Sequence, residues 1–337
     1  MNKEYTELRQ EPCTKRWVII SPQRAKRPHS LGEEEKEKLE LPEWDASCPF
    51  CPGNEGQTPP EIFSLKDDKG WRVRVIPNKY PALQPSEEII QIEGVDPFVW
   101  LLGIGSHEVV VESPLHNRTW GNMGVEQMEA VIRCFLRRYR ALRADKRLKY
   151  ICIFRNHGER AGTSLLHPHS QIIATPIVPE NIRAEVEEAR RYYDDRLHCA
   201  YCDVLRRELE AGERLILETD HFVAFAPFAS RMPFEVWVLP KKHSPSFDYI
   251  EEEEINDLAL VLETIFKAFY EGLGDPHYNF IVHSAPLRDS CEDYYHWHIE
   301  ILPRLTIQAG FELGTGIYIN TTFPEEAAKF LRQHCLK

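Results

Sequence analysis

His167-Pro168-His169-Ser170-Gln171 is the stretch that decides how this chain of 337 residues is interpreted. It follows the glycine-containing approach Gly158-Glu159-Arg160-Ala161-Gly162-Thr163-Ser164 and precedes the apolar run Ile172-Ile173-Ala174. In an extended segment, residues two apart point to the same face, while Pro168 keeps the backbone extended. The sequence therefore predicts that His167, His169 and Gln171 direct three polar side chains at one point.

His169 is a candidate nucleophile. Imidazole can be neutral and nucleophilic near pH 7, and it can form a covalent bond to phosphorus. The alternative is that the two histidines and the glutamine only occupy the polar face of a half-exposed strand. A His-x-His pair alone does not separate these interpretations, so the rest of the chain has to decide between them.

The net charge of the chain limits the classes of partner that it is expected to bind. The chain has 41 Lys and Arg residues against 53 Asp and Glu residues, a formal net charge of −12. Nucleic acids and membrane surfaces usually require a basic face, so neither is predicted as a partner. A small anionic substrate remains compatible, because it needs only a local cluster of Arg and His.

The N-terminal residues 1–11 are polar without an apolar signal core, and the chain has no run of about 18 apolar residues. A cytoplasmic location is the expectation. Among nine cysteines, four form the pairs Cys48/Cys51 and Cys199/Cys202. In a cytosolic chain, the Cys-x-x-Cys spacing favours metal or redox chemistry over structural disulfides.

The two halves of the sequence repeat one order of features: a Cys-x-x-Cys pair, a distant histidine, a helix, a strand and a His-x-His segment. His116 precedes His167 by 51 residues, and His243 precedes His296 by 53 residues. Helices are predicted over 125–142 and 251–269, and buried strands over 150–154 and 278–282. This agreement predicts an internal duplication in an α+β protein, with domains at residues 1–190 and 191–337.

Each half also contains a candidate metal site. Two cysteine thiolates and two histidine nitrogens make a tetrahedral zinc site, and the ligands can come from remote segments. The first predicted set is Cys48, Cys51, His116 and His167, and the second is Cys199, Cys202, His243 and His296. A single Cys-x-x-Cys is also a redox motif or a turn, but two of them with histidines in register are stronger evidence.

These assignments leave His169 and His298 without metal. A metal bound to His167 would hold that strand and so position His169, without acting on the substrate itself. Only His169 has a following Gln171 and a preceding loop with glycine and serine. The second half is therefore interpreted as a copy whose chemistry was lost or changed to binding, with His298 as a substrate contact or a packed histidine.

Together these motifs resemble the galactose-1-phosphate uridylyltransferases, the nucleotidyltransferase branch of the histidine-triad superfamily, over essentially the whole chain. The resemblance implies two histidine-triad-like domains, each an antiparallel sheet with helices. In that family the pattern His-Pro-His-x-Gln carries the nucleophile at its second histidine, here His169. Its glutamine holds the nucleotidyl phosphate and is Gln171 here.

Further segments carry the resemblance to substrate binding. Ser21-Pro22-x-Arg24-Ala25-x-Arg27-Pro28 is similar to the family's nucleotide-sugar phosphate segment, which implies roles for Arg24 and Arg27. Asn78 resembles the nucleoside contact. The residues that fall where members of the family hold the phosphates are Asn156, Gly162 and Ser164.

The late segment 310–320 aligns with a family region in which a glutamate contacts the hexose, and the resemblance implies that Phe311, Gly314 and Thr315 bind the nucleotide sugar. Gly316 stands where the better-studied uridylyltransferases have a glutamate. Those enzymes also have a Glu and His metal set without cysteine in the C-terminal half. The second Cys-x-x-Cys here is more similar to the subgroup of plant ADP-glucose phosphorylase and many prokaryotic uridylyltransferases, so the hexose and the base stay open.

The resemblance implies a ping-pong reaction, two zinc ions with iron as an alternative in the second site, and a homodimer. Its leading form is a UDP-glucose:hexose-1-phosphate uridylyltransferase of galactose metabolism, acting on a nucleotide sugar and a sugar 1-phosphate. The nearest alternative uses ADP-glucose with phosphate as acceptor. Because a neutral amide at Gln171 is no acid or base for water attack, transfer is favoured over hydrolysis. The alternative from another class is a twin-zinc interaction protein without catalysis, which the net acidity and Gln171 disfavour.

Overall fold

A computed structural model describes residues 5–26, 41–88 and 92–335, so the predicted phosphate contact Arg27 lies outside the described residues. The strands are β1 (Glu7–Gln10), β2 (Trp17–Ile20), β3 (Phe63–Asp67), β4 (Gly70–Pro77), β5 (Glu93–Val95), β6 (Phe98–Trp100), β7 (Ser106–Val111), β8 (Tyr150–His157), β9 (His169–Thr175), β10 (Leu215–Glu218), β11 (Phe222–Phe225), β12 (Val236–Pro240), β13 (Tyr278–His283), β14 (His298–Pro303) and β15 (Tyr318–Asn320). The helices are α1 (Val125–Arg143), α2 (Glu180–Arg196), α3 (Ala200–Ala211), α4 (Glu252–Leu273), α5 (Gly310–Thr315) and α6 (Pro324–Cys335).

One ten-stranded sheet runs through both halves in the order β10-β11-β12-β14-β13-β8-β9-β7-β4-β3. All neighbouring strands in it are antiparallel. Counted outward from the junction of β13 with β8, the two halves have the same arrangement, with β14 matching β9 and β12 matching β7. The α+β class and the duplication predicted from the sequence are confirmed.

Helices α1 and α4 cover one face of this sheet and contact each other. The apolar residues of α1 recur at three or four residues, so Met128, Phe135 and Tyr139 all point into the core. Helix α4 begins with a capping box in which Glu251 and Glu254 satisfy each other's backbone amides. Both helices lie where the sequence predicts them, and they leave the opposite sheet face for the cysteine segments.

Strand β9 begins at His169, so His167 precedes the strand and does not belong to it. The hydrogen bonding between β7 and β9 nevertheless extends one residue beyond the strands, because the Glu112 amide donates to the Pro168 carbonyl. Apolar residues of β9 alternate with the functional ones: Ile172 and Ala174 face helix α1, whereas His169 lies on the side of Phe50. The period of two therefore places the nucleophile candidate on the face away from the main helices.

A second, three-stranded sheet has the order β1-β2-β15 and packs on the C-terminal half. Val18 and Ile20 form an apolar cluster with Ala229 and Phe323, and Asn320 Nδ2 donates to the Ser230 carbonyl at 2.9 Å. This sheet carries the segment with Arg24 directly after β2. Helix α5, with the predicted nucleotide-sugar contacts Phe311, Gly314 and Thr315, directly precedes β15.

The predicted domain boundary after residue 190 falls inside helix α2, and the shared sheet joins the two halves through β8 and β13. The division into two domains stays a prediction. Within the part of the chain that the structure describes, no helix is long and apolar enough to cross a bilayer.

Candidate active site and metal centres

The first predicted metal set comes together at the end of β7 and the start of β9. Cys51 Sγ lies 3.5 Å from His116 Nδ1 and 3.6 Å from His167 Nδ1. Cys48 Sγ lies 3.7 Å from His167 Nδ1, and the two Nδ1 atoms are 3.3 Å apart. Tetrahedral zinc with bonds of about 2.3 Å to sulfur and 2.05 Å to nitrogen requires S–N separations of about 3.6 Å and an N–N separation of about 3.3 Å. The donor atoms of this chain are therefore already spaced for that ion.

The surroundings of this set prepare it for metal binding. The His167 Nε2 atom lies 2.8 Å from the Ser113 carbonyl, which can only accept, so Nε2 carries the proton and Nδ1 offers its lone pair. Burial lowers the pKa of His167 to about 4, so the ring is neutral at pH 7. Asn54 Nδ2 donates to the Cys48 carbonyl at 2.8 Å and holds the Cys-x-x-Cys turn closed.

The second predicted set is also brought together, at the start of helix α3. Cys202 Sγ lies 3.3 Å from His243 Nδ1 and 3.4 Å from His296 Nδ1, and the donor atoms of all four residues, Cys199 included, lie within 4.8 Å of one another. The outer nitrogens again meet backbone carbonyls: His243 Nε2 meets that of Glu292 at 2.7 Å and His296 Nε2 that of Pro240 at 3.0 Å. Both halves thus build the same type of Cys₂His₂ group.

His169 lies two residues after His167, the last ligand of the first metal set. Its Nδ1 atom lies 2.8 Å from the His167 carbonyl oxygen, so Nδ1–H donates and the lone pair remains on Nε2. The side chain is 8% exposed, and burial lowers its pKa, which keeps the ring neutral at pH 7. The rings of Phe50 and His169 pack in a T-shaped arrangement, with their centroids 5.5 Å apart. A neutral imidazole oriented in this way can act as a nucleophile through Nε2.

An ion pair behind this strand was not predicted from the sequence. Glu112 Oε2 accepts from Arg155 Nε at 3.0 Å, and Glu112 Oε1 accepts from the Ser170 hydroxyl. The guanidinium of Arg155 also lies over the ring of Trp120. Because Ser170 stands between His169 and Gln171, this network holds the backbone of both. In the sequence, this ion pair is visible only as a charged residue directly after the apolar strand β7, Glu112, and another inside β8, Arg155.

Gln171 contacts a residue that sequence reasoning also missed. Its Oε1 atom lies 2.7 Å from His107 Nε2, and Asn78 Nδ2 lies 3.1 Å from the same nitrogen. Asn78 follows β4, His107 lies in β7 and Gln171 lies in β9, three neighbouring strands. The predicted nucleoside contact and the predicted phosphate contact therefore both lie against one imidazole.

The loop between β8 and β9 brings Asn156 close to Gly162. A Cβ atom built on Gly162 would lie 4.0 Å from Asn156 Nδ2, and the backbone there has φ +92°, which favours glycine. Asn279 Nδ2 donates to Asn156 Oδ1 at 2.8 Å and to the Ala161 carbonyl at 2.9 Å, which ties the loop to β8. Ser164 is exposed on the same loop.

Other predicted substrate contacts lie elsewhere in the chain, namely Arg24, Phe311, Gly314 and Thr315. They belong to the three-stranded sheet and helix α5, which pack beside the end of β11. Five strand spacings separate β11 from β9, roughly 24 Å at about 4.8 Å per strand. Within one chain, this group and the His169 group therefore form two separate sets.

In the C-terminal half, the position equivalent to the active site is filled. His298 repeats the hydrogen bond of His169, with Nδ1 at 3.1 Å from the His296 carbonyl, but it is only 1% exposed. Its ring stacks on His283 at 4.8 Å, and Glu300 replaces the glutamine two positions later. Arg231 Nη2 lies 2.7 Å from carboxylates of both Glu300 and Glu235. Of the two interpretations of His298, the packed histidine describes this arrangement.

Glu185, His283 and His298 form a third group of possible metal ligands, which the sequence did not reveal. Both nitrogens of His283 face carboxylates: Nδ1 bonds Glu185 at 3.1 Å, and Nε2 forms an ion pair with Glu300 at 3.1 Å without completing a hydrogen bond. Although burial opposes the charge, Glu300 and Glu185 raise the pKa of His283 to about 10. A protonated His283 and Arg231 already pair with these carboxylates, so the group fits an internal ion network better than a metal site.

Comparisons with known proteins agree with this geometry. Residues 1–179 match the family described as galactose-1-phosphate uridyl transferase, N-terminal domain, and residues 111–335 match a domain of unknown function. An ADP-glucose phosphorylase of Arabidopsis thaliana is 36% identical over 334 residues, covering 97% of this chain and 92% of the relative. A galactose-1-phosphate uridylyltransferase of Thermotoga maritima is 33% identical over 336 residues, covering 97% and 98%. The crystal structure of the Arabidopsis ADP-glucose phosphorylase with bound ADP-glucose superposes with a TM-score of 0.83 at 35% identity, covering 98% of this chain and 99% of that one.

Proposed function

The chain belongs to the galactose-1-phosphate uridylyltransferase family and is a nucleotidyltransferase, and from this premise we propose that His169 carries the transferred group. The observation that supports the role most directly is the hydrogen bond from His169 Nδ1–H to the His167 carbonyl. It leaves the Nε2 lone pair free in a buried, neutral ring. A nucleophile of this kind needs no separate base.

The reaction follows in two displacements. His169 Nε2 attacks the α-phosphorus of a nucleotide sugar, a P–N bond forms, and the P–O bond to the sugar 1-phosphate breaks. A second phosphate group then attacks the same phosphorus, and the P–N bond breaks. Since the ring becomes cationic while it carries the nucleotidyl group, the Nδ1–H bond to the carbonyl becomes charge-assisted and stabilises the intermediate.

The leading substrate pair is UDP-glucose with galactose 1-phosphate, in line with the uridylyltransferase relatives. A second candidate is ADP-glucose with phosphate as acceptor, because a relative at 36% identity is an ADP-glucose phosphorylase and its structure contains ADP-glucose. Both use the same histidine and the same two displacements. They differ in the base and in the attacking phosphate.

The test uses UDP-glucose and ADP-glucose, each labelled at the α-phosphate, followed by denaturation and counting of protein-bound label. Wild type is expected to retain one nucleotide, and His169→Asn none. His334→Asn is a matched control, because that ring lies in helix α6, where it bonds the Phe330 carbonyl and packs on the Phe330 ring. Label that stays bound to His169→Asn would refute the assignment, and failure of wild type to retain either nucleotide would refute the covalent route.

Zinc is proposed in both Cys₂His₂ groups, with iron as an alternative in the second. When bound, the first ion would fix His167, whose carbonyl orients His169, so its role is to hold the strand. The spacing of the donor atoms supports this proposal. No step of the transfer requires the metal to touch the substrate.

A homodimer is proposed as the form that joins the two separate sets of substrate contacts. If the small sheet of one subunit lies against the His169 strand of its partner, Arg24 and Phe311 complete the partner's site. The β5–β6 hairpin supports an extra contact surface, since its Val95, Phe98 and Val99 are each more than 70% exposed.

A mixing experiment tests this arrangement. His169→Asn and Arg24→Ala homodimers are expected to be inactive or strongly impaired, whereas hybrids formed by co-expression contain one site with both residues intact. Activity in the hybrids near half of wild type supports shared sites. Hybrids no more active than the average of the two parents, or a monomer by sedimentation, would exclude them.

A further inference from the structure

His107 connects a backbone amide to Gln171 through opposite sides of its ring. The Ala82 amide donates to His107 Nδ1 at 3.1 Å. On the other side, His107 Nε2 lies 2.7 Å from Gln171 Oε1. Half-buried near the start of β7, the ring lies between the loop after β4 and strand β9.

These contacts assign the tautomer. A backbone amide can only donate, so His107 Nδ1 accepts and the proton of the neutral ring lies on Nε2. Nε2–H then donates to Gln171 Oε1, because a carbonyl oxygen can only accept. With Oε1 held at His107, the amide nitrogen of Gln171 is turned away from the ring.

The Asn78 amide is oriented by its own loop and not by His107. Its Oδ1 accepts from the Tyr80 amide at 2.9 Å, so its Nδ2 is the atom 3.1 Å from His107 Nε2. Two donors cannot bond each other, and the N–H groups of Asn78 therefore stay available, like those of Gln171. The amide nitrogens of Gln171 and Asn78, on either side of β7, therefore both remain available to donate.

The second half of the chain offers an internal comparison. By strand register, Val109 pairs with Gln171 and Trp237 pairs with Glu300, so Glu235 takes the position of His107. Both positions there are carboxylates, and they are joined by Arg231. Where the equivalent site is filled, the imidazole and the amide are both replaced.

We propose that His107 is a positioning residue for the transfer reaction, which holds the Gln171 amide with its NH₂ group toward the α-phosphate of the bound nucleotide. This inference rests on the proposed function. His107 itself touches neither the phosphate nor His169. The effect of His107 is expected in the transition state, where negative charge shifts among the phosphate oxygens. An N–H of Gln171 that is already oriented stabilises this charge without reorganisation.

The test is a double-mutant cycle on the whole chain with the labelled nucleotide sugar. H107F keeps a ring but removes the donor to Gln171. The rate of label transfer to His169 in a single turnover is expected to fall about 10- to 100-fold, less than the roughly 100- to 1000-fold loss of a transition-state donor itself, because Gln171 remains present. Q171A is expected to fall at least as far. If His107 acts only through Gln171, the double variant is no slower than Q171A, whereas a merely structural role would make the two losses multiply.

Two further variants keep the outcome decisive. H107Q retains a donor at the position of Nε2 and is expected to restore at least tenfold over H107F. H107N retains the acceptor for Ala82 but lacks the Nε2 donor, so it takes the place of H107F if that variant fails to fold, and the same loss is expected. Metal content and the unfolding midpoint are measured for each.

Multiplying losses in the double variant, or H107Q as slow as H107F, would overturn the role of His107. Wild type without any labelled adduct would instead overturn the proposed function, so the two failures are distinguishable. An H107F protein with wild-type transfer rates would also refute the inference.

Discussion

Replacing Glu112 with glutamine is expected to destabilise the protein strongly, although the two side chains have the same shape. Glu112 is 0% and Arg155 is 2% exposed, and their Oε2 and Nε atoms are 3.0 Å apart. The substitution removes the negative charge and leaves the guanidinium buried over Trp120 without its counter-ion. Ser170, which donates to the same carboxylate, loses a charged acceptor behind the His169 strand.

The size of the effect follows from burial. Removing one partner of a buried ion pair costs about 3–5 kcal/mol, because the remaining charge is uncompensated. The side-chain amide that replaces the carboxylate can still accept one hydrogen bond from Arg155, so the lower end, about 3 kcal/mol, is expected. With a urea dependence of about 3 kcal/mol per M, this corresponds to a midpoint shift of about 1 M.

The assay is urea unfolding followed by fluorescence, with metal content measured on the same samples. E210Q provides the matched control, because Glu210 forms an exposed ion pair with Arg207, at 53% and 76% exposure, and little change is expected. The double variant E112L/R155M removes both charges and should recover part of the lost stability. A shift for E112Q no larger than for E210Q, or a double variant less stable than E112Q, would refute the reasoning.

Three other predictions concern metal, pH and substrate. Cys48→Ser and Cys199→Ser are each expected to lose one metal equivalent by elemental analysis, and fully folded, active wild type with less than one equivalent would contradict the structural role of both sites. Because Glu300 and Glu185 raise the pKa of His283 from 6.5 to about 10, its contribution to stability is fully present below pH 6.5 and is lost as pH rises toward 10; His283→Leu should flatten this decline in unfolding midpoints, and an unchanged slope would contradict it. UDP-glucose with galactose 1-phosphate is expected to give a higher kcat/KM than ADP-glucose with phosphate, and a tenfold advantage for the latter, about 1.4 kcal/mol, would make ADP-glucose the substrate.

The filled second site shows how the two halves of one scaffold differ in their side chains. Strands β14 and β9 both begin with the second histidine of a His-x-His pair, and both histidines donate to the carbonyl two residues before. What differs is the pair of positions at 107 and 171, which are carboxylates in the second half. Arg231 lies between these two carboxylates and compensates their negative charge in the buried interior.

Motifs close in sequence were readable from the sequence alone. The Cys-x-x-Cys pairs, the His-x-His segments and the period of α1 are set by local geometry. The similar histidine spacings inside the two halves, 51 residues from His116 to His167 and 53 from His243 to His296, indicated the duplication. Hence the α+β class, both groups of four ligands and the orientation of β9 could be predicted. Helices α2, α3 and α6 were not predicted. Helix α2 is mostly polar, whereas Ala327, Ala328 and Leu331 of α6 recur at helical spacing and were a usable signal.

Tertiary structure alone decided which distant polar residues meet. Glu112 meets Arg155 across 43 residues, and His107 meets Gln171 across 64 residues, because the order of β7, β9 and β8 brings them side by side. The strand order also places Arg24 beside the small sheet and His169 in the large sheet, although the family resemblance assigned both residues to one site. Local sequence pattern determines which face of a strand a residue occupies, but strand order and register determine its neighbours, and these depend on the free energy of the whole packed sheet.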